Sequence, residues 1–314
     1  MKLIIQIPCF NEEETLPIAL AELPRSVEGF DEVEWLIIDD GSTDKTAEIA
    51  RQHGVDHVIQ FKRNMGLARG FMAGIKEALR NGADVIVNTD ADNQYCADDI
   101  KNLVKPIVQG KADYVIGARP VQTTDHFSFT KKQLQRLGSW VVRKASGTDI
   151  PDAPSGFRAI SSACAAELNV YNDYTYTLET IIQAGQKRMA ITSVPIRTNE
   201  DLRPSRLFKS IPSYLRRSIG TIIRIFVVYQ PYKFFMGIAA ILLTIGILLG
   251  FRFLYFFLAG NGTGHIQSVI LSGVLLITGF QTGLIAFVAD LLSVNRKLLE
   301  KANLELELRN FRKD

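Results

Sequence analysis

Over the first 120 residues, short apolar runs alternate with stretches of helical periodicity. The runs Leu3-Ile7, Glu34-Ile38, His57-Gln60, Asp84-Asn88 and Tyr114-Ile116 predict strands, and the stretches Glu13-Glu22, Lys45-His53, Leu67-Arg80 and Ala97-Gln109 predict helices between them. This rhythm implies an α/β domain with a mainly parallel sheet covered on both faces, and ligands beyond the carboxyl ends of its strands. The polar clusters Cys9-Phe10-Asn11-Glu12, Asp39-Asp40-Gly41-Ser42 and Asp90-Ala91-Asp92 each follow a predicted strand. All three should meet at one rim.

The pattern changes after Tyr232. No charged residue occurs from Phe234 to Phe251 or from Phe253 to Ala289, the polar turn Ala259-Gly260-Asn261-Gly262-Thr263-Gly264-His265 falling within the second stretch. A bilayer core is crossed by ~20 apolar residues, and soluble helices are rarely apolar on every face for so long, so two transmembrane helices are expected in place of two buried ones. Arg252 falls near the far end of the first, where a long side chain can reach the interface. Lys209, Arg216, Arg217, Arg224 and Lys233 precede the first span, Arg296, Lys297 and Lys301 follow the second, and the turn carries no Lys or Arg. By the positive-inside rule both ends face the cytoplasm. From Ser205 to Val228, apolar residues mix with these cations at helical spacing, which suggests helices lying on the membrane surface. The expected organisation is a catalytic domain at 1–205, interfacial helices at 206–232, two transmembrane helices at 233–293 and a solvated tail helix at 294–314. Leu3-Ile7 runs directly into Pro8 without a signal-peptide pattern, so the catalytic domain is expected in the cytosol, on a multi-pass protein of the inner membrane.

Composition narrows the classes further. With 314 residues, 47% hydrophobic and 22% charged, the chain is too apolar for disorder, and a net charge of +3 implies no nucleic-acid footprint. Cys9, Cys96 and Cys164 are far apart and lack metal-ligand spacing, so they read as reduced packing residues. His53, His57, His126 and His265 pair with no Cys or carboxylate ligands and receive no metal role.

Chemistry concentrates in the rim clusters. Asp90 and Asp92, one residue apart at a strand end, can both face a divalent cation that also binds a diphosphate; alone, such a triplet is equally a surface turn. In Asp39-Asp40-Gly41-Ser42-Thr43-Asp44-Lys45-Thr46, a glycine turn leads to a helix, and Ser42, Thr43 or Asp44 can satisfy the first amides. That leaves Asp39 and Asp40, which a base N–H or ribose hydroxyl would serve.

Ile7-Pro8-Cys9-Phe10-Asn11-Glu12-Glu13, Asp39-Asp40-Gly41-Ser42 and Asp90-Ala91-Asp92-Asn93-Gln94, in this order and spacing, resemble the inverting family 2 glycosyltransferases of GT-A fold. Gly117-Ala118-Arg119, Asp152-Ala153-Pro154-Ser155-Gly156-Phe157-Arg158, Leu178-Glu179 and Val194-Pro195-Ile196 resemble the polyprenyl-phosphate branch of that family, over about the first 210 residues. The resemblance implies a nucleotide-sugar donor, UDP- or GDP-linked, a polyprenyl-phosphate acceptor, and Mg2+ or Mn2+ as cofactor. It places Pro8, Phe10, Glu12 and Asp40 around the nucleoside with Asp39 nearby, and Asp90, Asp92 and Gln94 on the metal. Arg63-Asn64-Met65-Gly66-Leu67-Ala68-Arg69-Gly70 matches a stretch lining the donor site, which brings in Asn64; it reads equally well as a helix start with small residues for packing. The family commonly has Tyr where this chain has Phe10, so a ring is kept and a hydroxyl lost.

The Ser155-Gly156-Phe157-Arg158 loop lines the acceptor end in the family. Some relatives carry Asp immediately before the Phe; Gly156 stands there, and Asp152 is the nearest candidate base. A lipid phosphate is already largely ionised near neutral pH, so placement and charge compensation matter more than a base. Arg119, Arg136, Arg203 and Arg206 are candidates to meet that phosphate, Arg206 first because it lies where the domain meets the membrane. Gln133-Leu134-Gln135-Arg136-Leu137 only partly resembles the QxxRW element of processive synthases, since Leu137 replaces the Trp. A diacylglycerol-type or polysaccharide acceptor, and a catalytically silent membrane scaffold, stay as alternatives; the chain does not decide between a monomer and a homo-oligomer.

Overall fold

In the computed structural model the described residues are 1–120, 138–140, 142–144, 146–170, 176–199, 220, 223–224, 226–260 and 262–311. Two compact units divide the chain, Met1–Ile219 with Asn310–Asp314, and Gly220–Arg309.

The first unit is built on strands β1 (Lys2–Cys9), β2 (Glu32–Asp39), β3 (His57–Gln60), β4 (Val85–Asn88), β5 (Tyr114–Ala118), β6 (Arg158–Ser161) and β7 (Ile191–Pro195), in spatial order β3-β2-β1-β4-β6-β5-β7. Pairing is parallel except that β6 runs antiparallel to both β4 and β5. The helices are α1 (Leu16–Glu22), α2 (Thr46–Gln52), α3 (Leu67–Arg80), α4 (Ile100–Val108), α5 (Ser162–Glu167) and α6 (Thr177–Gln186). All five predicted strands and four predicted helices are present; β6, β7, α5 and α6 are additions.

Burial explains the arrangement. Leu3, Ile5 and Ile7 of β1 join Leu16, Leu20, Ile37, Val85, Val87, Ile100 and Leu103 in the main apolar core. On α3, Ala68, Phe71, Ile75 and Ala78 recur at helical spacing and are buried. Gly74 lets α3 approach the sheet, because a Cβ there would sit 2.4 Å from Gln6 Oε1 and 2.7 Å from Ile38 Cδ1. α1 begins at Leu16, later than the expected Glu13: Glu13 is drawn off to the β2–α2 connection, its amide donating to Asp44 and its carboxylate accepting the Lys45 amide, both at 3.1 Å.

The second unit contains α7 (Pro231–Leu258), a 3-10 turn at Gly262–His265 and α8 (Ile266–Phe311). Pro231–Leu258 and Ile266–Leu299 are long and apolar enough to cross a membrane, with mean hydropathies of 2.5 and 1.9 and only 11% and 17% of their most apolar stretches buried. A helix from a soluble core would be covered. The helices meet along a seam of small residues: Ser272 donates to the Gly246 carbonyl at 2.7 Å, and Cβ atoms at Gly246 and Gly279 would lie 3.1 Å from Leu276 and 2.9 Å from Leu243. The tail expected as a separate helix from residue 294 instead continues α8 without a break, because its Leu- and Glu-rich sequence has neither Gly nor Pro to stop it.

Candidate active site

Parallel pairing of β2, β1 and β4, with Cys9 opposite Asp39 and Gln6 opposite Asn88, brings the three acidic or polar clusters to one edge of the sheet. β5 and β7 end at the same edge, and the antiparallel β6 begins there, Arg158 lying opposite Asn88 and Ile116. The expected rim is therefore real and wider than expected, since residues 119, 152–157 and 196–199 also border it.

On one side of the rim two loops are knitted together. Asn11, at φ +55°, donates its amide to Ser42 Oγ at 2.9 Å and accepts the Thr43 amide at 2.8 Å, while the Glu12 amide donates to Thr46 Oγ1 at 2.8 Å. Of the three capping candidates, Asp44 is the one that satisfies a first-turn amide, accepting from Thr46 at 3.0 Å. Gly41 has φ +73°, and a Cβ on it would lie 2.4 Å from the Arg63 carbonyl carbon. Only glycine lets the 63–66 loop close over this turn. Asp40 then binds that loop, accepting the Met65 amide at 2.6 Å and the Gly66 amide at 2.9 Å; burial raises its carboxyl and these amides oppose the rise. Asp40 thus shapes the site through the 63–66 loop, on which Asn64 is exposed. Pro8 is half-buried, the Phe10 ring is 40% exposed, and Glu12 is buried and accepts the Thr15 hydroxyl at 2.6 Å. Asp39 is fully buried, one oxygen accepting the Ser42 amide at 2.9 Å and Oδ2 without a hydrogen-bond partner. A buried orphan acceptor at this sheet edge calls for a donor from a ligand or water.

On the other side, the loop after β4 carries Asp90, Asp92 and Gln94, all half-buried, with the Gln94 amide donating to Asp92 at 3.2 Å. Desolvation and the neighbouring Asp92 charge push the Asp90 carboxyl up to about 7, against the pull of Arg119 and Arg158. A pair of carboxylates so crowded is relieved by a hard cation. Among the described residues no cluster of three or more His, Cys, Asp or Glu forms a self-sufficient metal site. The two carboxylates and the side-chain carbonyl of Gln94 would hold part of a coordination sphere, which fits a cation shared with a diphosphate.

Arg119 and Asp152 lie together beside this loop. Arg119 Nε donates to Asp152 at 2.8 Å, its terminal nitrogen at 3.0 Å and its backbone amide at 3.1 Å, and Asp152 is only 2% exposed. The two were expected as separate agents, a base candidate and a phosphate binder. They form a buried ion pair instead, in which Asp152 holds the guanidinium in place. Arg136, Arg203 and Arg206 lie outside the described residues.

Sequence reading assigned nothing to Asn88, Tyr95, Tyr176 or Arg158, which together build the floor. Asn88 accepts from Gln6 and donates to the Gly156 carbonyl and the Tyr176 hydroxyl, each at 2.9 Å. Arg158, expected in a loop, opens β6 and is fully buried, donating to the carbonyls of Ser155, Ala153 and Thr177 and the hydroxyls of Tyr114 and Thr180. Its signal in the sequence was Ser155-Gly156-Phe157-Arg158 itself, a cation in an otherwise uncharged run whose partners lie up to 44 residues away.

The fold and this edge are those of an α/β glycosyltransferase domain, and comparison with known proteins agrees. The family model described as glycosyl transferase family 2 matches residues 4–167, and the chain belongs to that family. It is 30% identical over 215 residues to a UDP-N-acetylglucosamine--dolichyl-phosphate N-acetylglucosaminyltransferase of Methanococcus voltae, covering 61% of this chain and 83% of that one. It is 26% identical over 208 residues to a polyprenol monophosphomannose synthase of Mycolicibacterium smegmatis, covering 63% and 77%. Among solved structures, glucosyl-3-phosphoglycerate synthase from Mycobacterium tuberculosis, in complex with Mn2+, UDP and glucosyl-3-phosphoglycerate, superposes with a TM-score of 0.55 at 18% identity, over 72% of this chain and 78% of that one. That likeness establishes the GT-A fold. The resemblance, the fold class and the assignment as a glycosyltransferase, all expected from sequence, are borne out.

Proposed function

We propose that the protein transfers a single sugar, with inversion, from a UDP- or GDP-sugar to a polyprenyl phosphate at the cytoplasmic face of a membrane, using Mg2+ or Mn2+. The observation that carries this reading is the Asp90–Asp92 pair lying against Gly156 of the 152–157 loop, on the sheet edge where Asp39 leaves a buried acceptor open. In this reading Phe10 stacks on the base, Asp39 receives a donor from the nucleoside, and Asp40 keeps the 63–66 loop closed over it with Pro8, Glu12 and Asn64 bordering the pocket. Asp90, Asp92 and Gln94 would hold the cation, which supplies positive charge to the departing diphosphate. Asp152 fixes Arg119 so that its guanidinium is placed before the acceptor arrives, and Arg136 and Arg206 add positive charge for the lipid phosphate. A phosphate oxygen needs no proton removed, so a carboxylate already committed to an arginine is no handicap. Relatives whose names state polyprenyl- or dolichyl-phosphate acceptors support this acceptor class over a diacylglycerol or a polysaccharide.

The test is a donor panel. The full chain in detergent is offered UDP- and GDP-sugars with undecaprenyl phosphate, with Mn2+ or with chelator. One donor class should yield a lipid-linked sugar only with metal, and Asp92→Ala should abolish turnover with little change in melting temperature. Undiminished turnover in chelator, or in that variant, would remove the metal from the account.

A further inference from the structure

Tyr95 is the point at which three segments of the rim meet. Its ring is 4% exposed and stacks on Phe157, with centroids 5.1 Å apart and planes 10° from parallel. Its hydroxyl, carried on the same loop as Asp90, Asp92 and Gln94, accepts the Gly156 amide at 2.9 Å. Its backbone bridges Thr198, and the next contact along, the Asn199 amide to the Gln94 carbonyl at 2.9 Å, repeats the link to the segment leaving β7. Gly156 itself touches Asp90: a Cβ at position 156 would lie 2.9 Å from Asp90 Oδ2.

We propose that Tyr95 is a positioning residue, whose hydroxyl, by holding the Gly156 amide, keeps the Gly156 loop against Asp90 so that ligand binding at either loop is felt at the other. The inference rests on the reading of Asp90 as a cation ligand and of the 152–157 loop as the acceptor end. Removing the hydroxyl leaves the Gly156 amide buried without its acceptor, while the ring stack on Phe157 persists. Groups that orient metal ligands from behind typically change metal affinity by about 10–100-fold when lost.

The experiment compares the full chain, Tyr95→Phe and Tyr114→Phe. Tyr114 is an equally buried phenol, but its hydroxyl serves Arg158 and Thr180 in place of the Gly156 amide. Mn2+ is titrated in the presence of UDP, and separately of GDP, with free Mn2+ read by electron paramagnetic resonance, before and after adding undecaprenyl phosphate. The parent should bind Mn2+ with one nucleotide and bind it more tightly once the lipid phosphate is present. Tyr95→Phe should bind about tenfold more weakly and lose that response, at a melting temperature close to that of Tyr114→Phe, whose Mn2+ affinity should match the parent. If Tyr95→Phe keeps the parental affinity and response, or if Tyr114→Phe shows the same loss, Tyr95 is merely structural and the inference is overturned. If the parent binds no Mn2+ with either nucleotide, the cation reading fails first and takes this inference with it.

Discussion

At the scale of single residues, the site depends on side chains that hold loops more than on side chains that wait for a proton. Asp40 binds two backbone amides of the 63–66 loop, Asp152 three donors of Arg119, and Asn88 links Gln6, Gly156 and Tyr176. Phe10 differs: its ring is 40% exposed beside this scaffold, which leaves surface for a planar ligand. Stacking of a base on an aromatic ring is worth about 1–3 kcal/mol, so Phe10→Ala should raise KM for the nucleotide sugar by ~5- to 150-fold with a smaller change in kcat, whereas Phe10→Tyr should stay close to the parent. Steady-state kinetics at saturating acceptor check this, and an unchanged KM in Phe10→Ala would place the base elsewhere. Asp39, Asp40, Asp90 and Asp92 were legible because paired carboxylates after apolar strands have no local explanation. Asn88, Tyr95 and Arg158 were not, because each looks like an ordinary strand or loop residue until partners 68, 61 and 44 residues distant arrive.

At the scale of elements, long periodic segments were readable and short tertiary ones were not. Leu67-Arg80 has a full apolar face and its predicted limits are observed. β6 is four residues, Arg158-Ala159-Ile160-Ser161, without alternation, and becomes a strand only because β4 and β5 pair with both its edges. The segment leaving β7 is held in the same non-local way: Arg197 donates to Asp99 from its backbone at 2.7 Å and from its guanidinium at 3.0–3.3 Å, at the start of α4. Burial raises the Asp99 carboxyl, but the Arg197 donors outweigh it and hold the group below its usual range. A carboxylate with a depressed folded pKa contributes stability above the unfolded value of about 4 and loses it as pH falls through the folded value. Arg197→Met should therefore melt below the parent at pH 7, with the gap closing as pH drops under about 4. Calorimetry across that range is the check; a gap that is constant with pH would show that Asp99 is not the group involved.

At the scale of the whole molecule, a glycosyl transferase family 2 domain and a pair of long apolar helices share one chain. Leu248, Phe251, Tyr255, Leu258, Phe280 and Leu291 are each more than 60% exposed on those helices, an apolar surface that lipid would cover. We propose, from the charge asymmetry around the helices, that both of their outer ends lie in the cytoplasm, on the side where nucleotide sugars are made. Cysteine introduced at Asn261 should label with an impermeant reagent from outside intact cells and cysteine at Ser205 should not; the reverse pattern would turn the catalytic unit away from its donor. The central claim, that a lipid phosphate is the nucleophile, is tested most directly by giving the purified full chain and its preferred nucleotide sugar two acceptors that differ only in the phosphate, undecaprenyl phosphate and undecaprenol. Transfer to the phosphate with undecaprenol left untouched is the result this account predicts; equal transfer to both would contradict it.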